Sequence, residues 1–142
     1  MQNGCKMDNV NTLTFSGWGQ PHDGLKTIAP NATHVDYAQH ESIESCFAKL
    51  KNTSCDVAIG WSLGGQIALR AIEQKIITPK ALVLLATPFK FIANADLTSG
   101  MPYSTYQTFK DAFSNNPTET LQRFAHLVSQ HDIHFKTIYR SL

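Results

Sequence analysis

The period of the apolar positions changes several times along this chain, and each change predicts an element. Thr12 to Ser16 is rich in β-formers and ends at Gly17, which predicts a strand. Gly17 to Gly24 holds Pro21 and predicts a loop, with a short helix over Gly24 to Ile28. Thr33 to Tyr37 predicts a second strand. From Glu41 to Lys51 the period lengthens, and Ile43, Cys46, Phe47 and Leu50 share one helical face. Val57 to Ile59 is a short apolar run of the buried-strand kind. Leu63, Ile67, Ala68 and Ala71 follow at helical spacing, in a helix expected to fade near Lys75, ahead of Pro79. Lys80 to Ala86 is continuously apolar and predicts a strand buried on both faces.

Strands alternating with helices at this spacing imply an α/β fold: a parallel sheet with helices on both faces and right-handed crossovers. Ligands in such folds bind at the carboxyl edge of the sheet. After Pro88 the pattern changes. Phe89 to Pro102 has no period, and two consecutive helices follow. The first carries Tyr106, Phe109 and Phe113 on one stripe. The second opens on Asn116 as N-cap, Pro117 at N1 and Glu119 at N3, with a stripe of Leu121, Phe124, Ala125 and Val128. Two helices without a strand between them do not extend the sheet. They read either as a lid or as ordinary core helices. The chain is divided on this basis into 1–99 and 100–142.

The densest chemical signal lies where the Val57 to Ile59 run meets the next helix: Gly60-Trp61-Ser62-Leu63-Gly64, a G-x-S-x-G between strand and helix. A phosphate loop would need Gly-Lys-Ser/Thr, which does not follow. Without a Cβ, Gly60 and Gly64 let strand and helix approach, so Ser62 can occupy a strained turn with its hydroxyl held out at the helix N-terminus. Unpaired amides and the helix dipole favour an anion there, the dipole by roughly 0.3–1 kcal/mol.

These residues resemble the α/β-hydrolase nucleophile elbow. Gly60-Trp61-Ser62-Leu63-Gly64-Gly65 is most similar to the branch formed by the pimeloyl-acyl-carrier-protein methyl ester esterases of biotin synthesis. Phe15-Ser16-Gly17-Trp18-Gly19 matches that family's His-Gly-Trp-Gly, with Ser16 in place of the histidine. Gly100 to Arg123 resembles the start of its helical cap, with Phe109 and Arg123-Phe124 at matching places. The family's Asp-x-x-Gly-x-Gly-x-Ser loop is represented by Asp36 followed by a stretch without glycines, and no residue matches its triad Asp or His.

The resemblance implies an incomplete α/β-hydrolase core followed by the first helices of a cap, with the carboxyl-terminal part of the core missing. It implies Ser62 as the nucleophile of a serine carboxyl-ester hydrolase, with the backbone amides of Trp18 and Leu63 as oxyanion donors. It implies an acyl ester on acyl carrier protein as substrate. Trp18, Trp61, Phe109 and Phe124 become candidate acyl contacts, with plain packing as the alternative for the tryptophans. Arg123 becomes a candidate carrier-protein contact, with a solvated helix face as the alternative. No cofactor is expected. A thioesterase or acyltransferase on the same scaffold, or an inactive remnant serving as a binding module, are the competing readings. For a base, position alone offers His40, after the Asp36 strand, with Asp96 as its orienter; a solvated loop residue is the alternative for each.

Composition narrows the field further. The 142 residues carry a net charge of +1 and are 42% hydrophobic, an ordinary globular balance with no bulk-charge argument for nucleic acid or membrane. Cys5, Cys46 and Cys55 make no paired framework and point to a reducing compartment. Met1 to Asn11 lacks the apolar core of a signal peptide, so a cytoplasmic location is expected. His131 and His134 are the nearest approach to metal-ligand spacing, and an exposed polar turn accounts for them; no metal is expected. A sheet left unfinished at one edge would invite self-association.

Overall fold

The apolar runs become a four-stranded parallel sheet in the computed structural model, which describes residues 10–133. The strands are β1 (Thr12–Phe15), β2 (Thr33–His34), β3 (Val57–Trp61) and β4 (Ala81–Leu85), in the spatial order β2-β1-β3-β4. Between β2 and β3 lies α1 (Ile43–Leu50), and between β3 and β4 lies α2 (Leu63–Glu73). The step from β1 to β2 runs opposite in direction to the next two crossovers. Right-handed connections therefore set α1 and α2 on one face and the 21–32 segment on the other.

The core forms where these elements meet. Leu13 and Phe15 of β1 point the same way and are buried with Ala58 of β3, Cys46, Phe47 and Leu50 of α1, and Ile67, Ala68 and Ala71 of α2. Ser42 starts α1 by accepting a bond from the Ser45 amide, and the Ser45 hydroxyl accepts one from the Ser42 amide. At the other end of the strands, Asp56 ties the sheet together. It accepts from Lys80 at 2.8 Å and from the Asn11 amide at 3.0 Å, and these bonds hold its carboxyl below the usual range.

The structure differs from the sequence-based expectations at four places. The second strand pairs over Thr33–His34 and extends its ladder only to the Val35 amide, which donates to Thr14 O; a 3₁₀ turn then takes Tyr37–Gln39. The 24–28 segment is a run of turns (Lys26 N to Asp23 O, Ile28 N to Leu25 O) anchored by buried Leu25. β4 is not buried on both faces: Val83 is 41% and Leu84 43% exposed. It pairs with β3 on one side, and no strand pairs with its other side among the described residues.

The chain falls into two compact units, 1–88 and 89–142. The second holds α3 (Tyr103–Asn115) and α4 (Pro117–Ser129), which pack against each other. Asn116 caps α4, accepting from the Glu119 amide at 3.2 Å, with Pro117 next. The fourth departure lies here. The buried residues of α4 are Thr120, Ala125 and Ser129, whereas Val128 is exposed. Thr120 and Ser129 avoid burying an unsatisfied hydroxyl by donating to the carbonyls of Asn116 and Ala125. Among the described residues no helix is long and apolar enough to cross a membrane.

Candidate functional site

Ser62 occupies the one-residue hinge between β3 and α2. Its φ of 53° and ψ of −120° lie where a side chain is strained, at a cost on the order of 1–3 kcal/mol. The surroundings over-determine that conformation. Its amide donates to Leu85 O at 2.9 Å, so the ladder to β4 runs one residue past the strand. Its carbonyl accepts from the Gly65 amide at 3.1 Å, which closes the first turn of α2. Although Ser62 sits at the N-cap, its side chain makes no capping bond, and the residue is only partly buried. The hydroxyl is thus not consumed by the helix it precedes.

The glycines serve close approach rather than unusual dihedrals. A Cβ on Gly60 would collide with the Gly65 backbone, and one on Gly64 with the carbonyls of Phe15 and Ser16. A Cβ on Gly65 would strike Thr87. Sequence reasoning anticipated the strand-to-helix approach at Gly60; it gave Gly64 the same reason, although the contact there is with β1, and it gave Gly65 only as part of the family string.

The segment after β1 passes beside Ser62: a Cβ built on Gly17 would lie 3.4 Å from that of Ser62. Several bonds shape this segment. Ser16 Oγ donates to His22 O at 3.0 Å, the Gly17 amide to Gln20 Oε1 at 3.2 Å, and the Gln20 amide to Gly17 O at 3.3 Å. Tyr37 donates its hydroxyl to Ser16 O at 2.7 Å. Burial, helped by the neighbouring Asp36 charge, pushes the Tyr37 phenol up to about 12, so the hydroxyl keeps its proton well above neutral pH. Ser16, which stands where the resembling family has histidine, therefore closes this loop through its hydroxyl. Neither Tyr37 nor Gln20 carried a sequence signal.

The remaining candidates are placed as follows. Trp18 and Trp61 are partly buried, and Leu63 is the first residue of α2. His40 is partly buried in the bend after the Tyr37–Gln39 turn. His22, unremarked in the sequence, stands 3.6 Å from Asp36. In the second unit Phe109 and Phe124 are half-buried, and Asp96 is exposed. Arg123 is exposed and pairs with Glu119 at 2.5 Å. Cys46 and Cys55 are free and buried, and burial pushes both thiols up, away from reactivity. Cys5 and His134 lie outside the described residues. Among those described, no group of three or more His, Cys, Asp or Glu could hold a metal ion.

A parallel sheet crossed by helices, with this serine turn at the end of β3, is an α/β-hydrolase type of fold. No family model matches the chain. Pimeloyl-[acyl-carrier protein] methyl ester esterase of Nitrosomonas europaea is 42% identical over 65 residues, 46% of this chain and 26% of that protein. The esterase of the same name from Aromatoleum aromaticum is 34% identical over 91 residues, 61% of this chain and 36% of that protein. Biotin biosynthesis bifunctional protein BioHC of Saccharophagus degradans is 37% identical over 92 residues, 61% of this chain and 16% of that protein. The chain thus spans between 16% and 36% of the length of these curated relatives.

Proposed function

We propose that this chain carries the nucleophile-bearing part of a serine carboxyl-ester hydrolase. The substrate class is a methyl ester of an acyl group on acyl carrier protein, and the setting is cytoplasmic biotin synthesis. The observation that carries the reading is Ser62: a strained serine on the hinge between β3 and α2, its hydroxyl not spent on capping, beside the segment after β1. The names of the relatives supply the ester and the carrier.

In this mechanism Ser62 Oγ attacks the ester carbonyl carbon as its proton passes to a base. The negative charge that forms on the carbonyl oxygen meets the backbone amides of Leu63 and Trp18. One such donor is worth roughly 3–4 kcal/mol of barrier. Collapse breaks the bond to the methoxy oxygen, which leaves as methanol, and water then releases the acid from the acyl-enzyme. No residue of this chain is assigned as the base. Trp61 is assigned to the acyl group. Arg123 is assigned to the acidic carrier, although its pairing with Glu119 offsets part of its charge. The outer edge of β4, where Val83 and Leu84 are exposed, is assigned to self-association.

A fluorophosphonate probe tests the reading. The wild-type chain should gain one covalent adduct, localised to Ser62 by peptide mass, and Ser62→Ala should gain none. Equal labelling of both would refute it, and so would none of either when the base-bearing part of the enzyme is supplied. Parallel assays with methyl esters and acyl thioesters then separate esterase from thioesterase.

A further inference from the structure

The amide of Trp18 belongs to the Gly17–Trp18 peptide, and its direction depends on two consecutive peptide planes. A glycine lies between them, and glycine leaves that junction loose unless something else holds it. Both planes are held. The Ser16 carbonyl accepts from Tyr37 Oη at 2.7 Å, and on the same plane the Gly17 amide donates to Gln20 Oε1 at 3.2 Å. The Gly17 carbonyl accepts from the Gln20 amide at 3.3 Å, which fixes the next plane. The Gln20 ties are local to the loop. Tyr37 reaches it from another element, the 3₁₀ turn after β2, across 21 residues of sequence. Its ring packs against the hydrophobic core, so the hydroxyl is delivered from a rigid base. The Ser16 carbonyl is also where Gly64, in the first turn of α2, makes its close approach. Tyr37 therefore acts on a peptide group that belongs to the loop and also lies against the first turn of the helix that follows Ser62.

We propose that Tyr37, seconded by Gln20, is a positioning residue that holds the Ser16–Trp18 backbone in register with Ser62, and so aims the Trp18 amide at the charge formed in ester cleavage. The role rests on the esterase reading for its chemistry, but the restraint itself can be measured separately.

The experiment compares wild type, Tyr37→Phe and Gln20→Ala as full chains. Two quantities are read: the rate constant for fluorophosphonate labelling of Ser62, and amide hydrogen exchange over residues 17–19. Removing a whole oxyanion donor costs about 10²–10³-fold, so misaiming one should cost about tenfold in labelling. Tyr37→Phe should label about tenfold more slowly and exchange faster at 17–19, with exchange in α2 unchanged. Gln20→Ala should shift both readings the same way by less, and it keeps the test open if Tyr37→Phe does not fold. Wild-type labelling rates in the folded variants would overturn the proposal and leave the esterase reading intact. Slower labelling without faster exchange at 17–19 would also overturn it, because the loss would then arise elsewhere. If the wild type itself is not labelled even with the base-bearing part of the enzyme supplied, the esterase reading fails. Exchange then judges the restraint alone: faster exchange in Tyr37→Phe upholds it, and unchanged exchange overturns it.

Discussion

β3 and β4 are neighbours of equal length, paired residue by residue from Val57↔Ala81 to Trp61↔Leu85. Both read as buried apolar strands, and only β3 is one. It has β1 on its other side, and Ala58 and Gly60 are buried. β4 contributes only Leu82, partly buried, to the packing around the core, while Val83 and Leu84 stay more than two-fifths exposed. Hydrophobicity records the surroundings a strand suits. Coverage is decided by its neighbours, which no local pattern reports.

The largest expected effect sets the covered interior of the sheet against β4. Phe15, fully buried in β1, should cost about 3–5 kcal/mol when changed to Ala. Leu84→Ala should cost about 1 kcal/mol or less, because less apolar area leaves water there. Urea denaturation of the two variants at low protein concentration gives both numbers. Similar losses would mean that β4 is covered in solution, and the comparison would break.

A smaller effect shows how tightly the inner side is built. Gly64→Ala drives a methyl group into the carbonyls of Phe15 and Ser16, and backbone cannot rotate away as a side chain can. The helix start must lift from β1, at roughly 1–3 kcal/mol. Gly17→Ala meets mainly the end of the Gln20 side chain, at 3.0 Å, which can move aside. Its thermal midpoint should stay within a few degrees of wild type, and Gly64→Ala should fall well below both. Equal midpoints would show that the approach of α2 to β1 is looser than the structure has it.

What was legible in the sequence follows the range of each interaction. The β3–Ser62–α2 turn could be read because its causes are contiguous: an apolar run, spaced glycines and a helical stripe. The cap of α4 at Asn116 could be read because a capping bond spans three residues. The 24–28 segment misled because a few helix-compatible residues do not outlast the cost of nucleating a helix, and turns satisfied the backbone instead. The α4 stripe misled at Val128 because helical spacing names a face without saying what lies opposite. Tyr37 was invisible because its bond to Ser16 O links distant positions, and a tyrosine at the end of an expected strand has many ordinary explanations.

The smallest expected effect concerns the turn that sends the chain from α2 towards β4. Here the hydrogen bonds are those of a glycine-type helix end, with Lys75 N to Ile72 O at 2.9 Å and Ile76 N to Ala71 O at 2.8 Å. The residue in the left-handed position is nevertheless Lys75, with φ of 55°. A non-glycine residue pays roughly 1–2 kcal/mol there. Glycine removes that strain but adds about 0.4–1 kcal/mol of unfolded-chain entropy. Lys75→Gly should therefore stabilise the protein by about 0.5 kcal/mol relative to Lys75→Ala, which removes the same exposed side chain and keeps the strain. The alanine variant is the proper reference, since it separates backbone strain from loss of the charge. If Gly proves no more stable than Ala, the left-handed turn is not populated in solution. The buried residue that follows, Ile77, would then have to be held by something other than the geometry that now delivers the chain to the exposed strand.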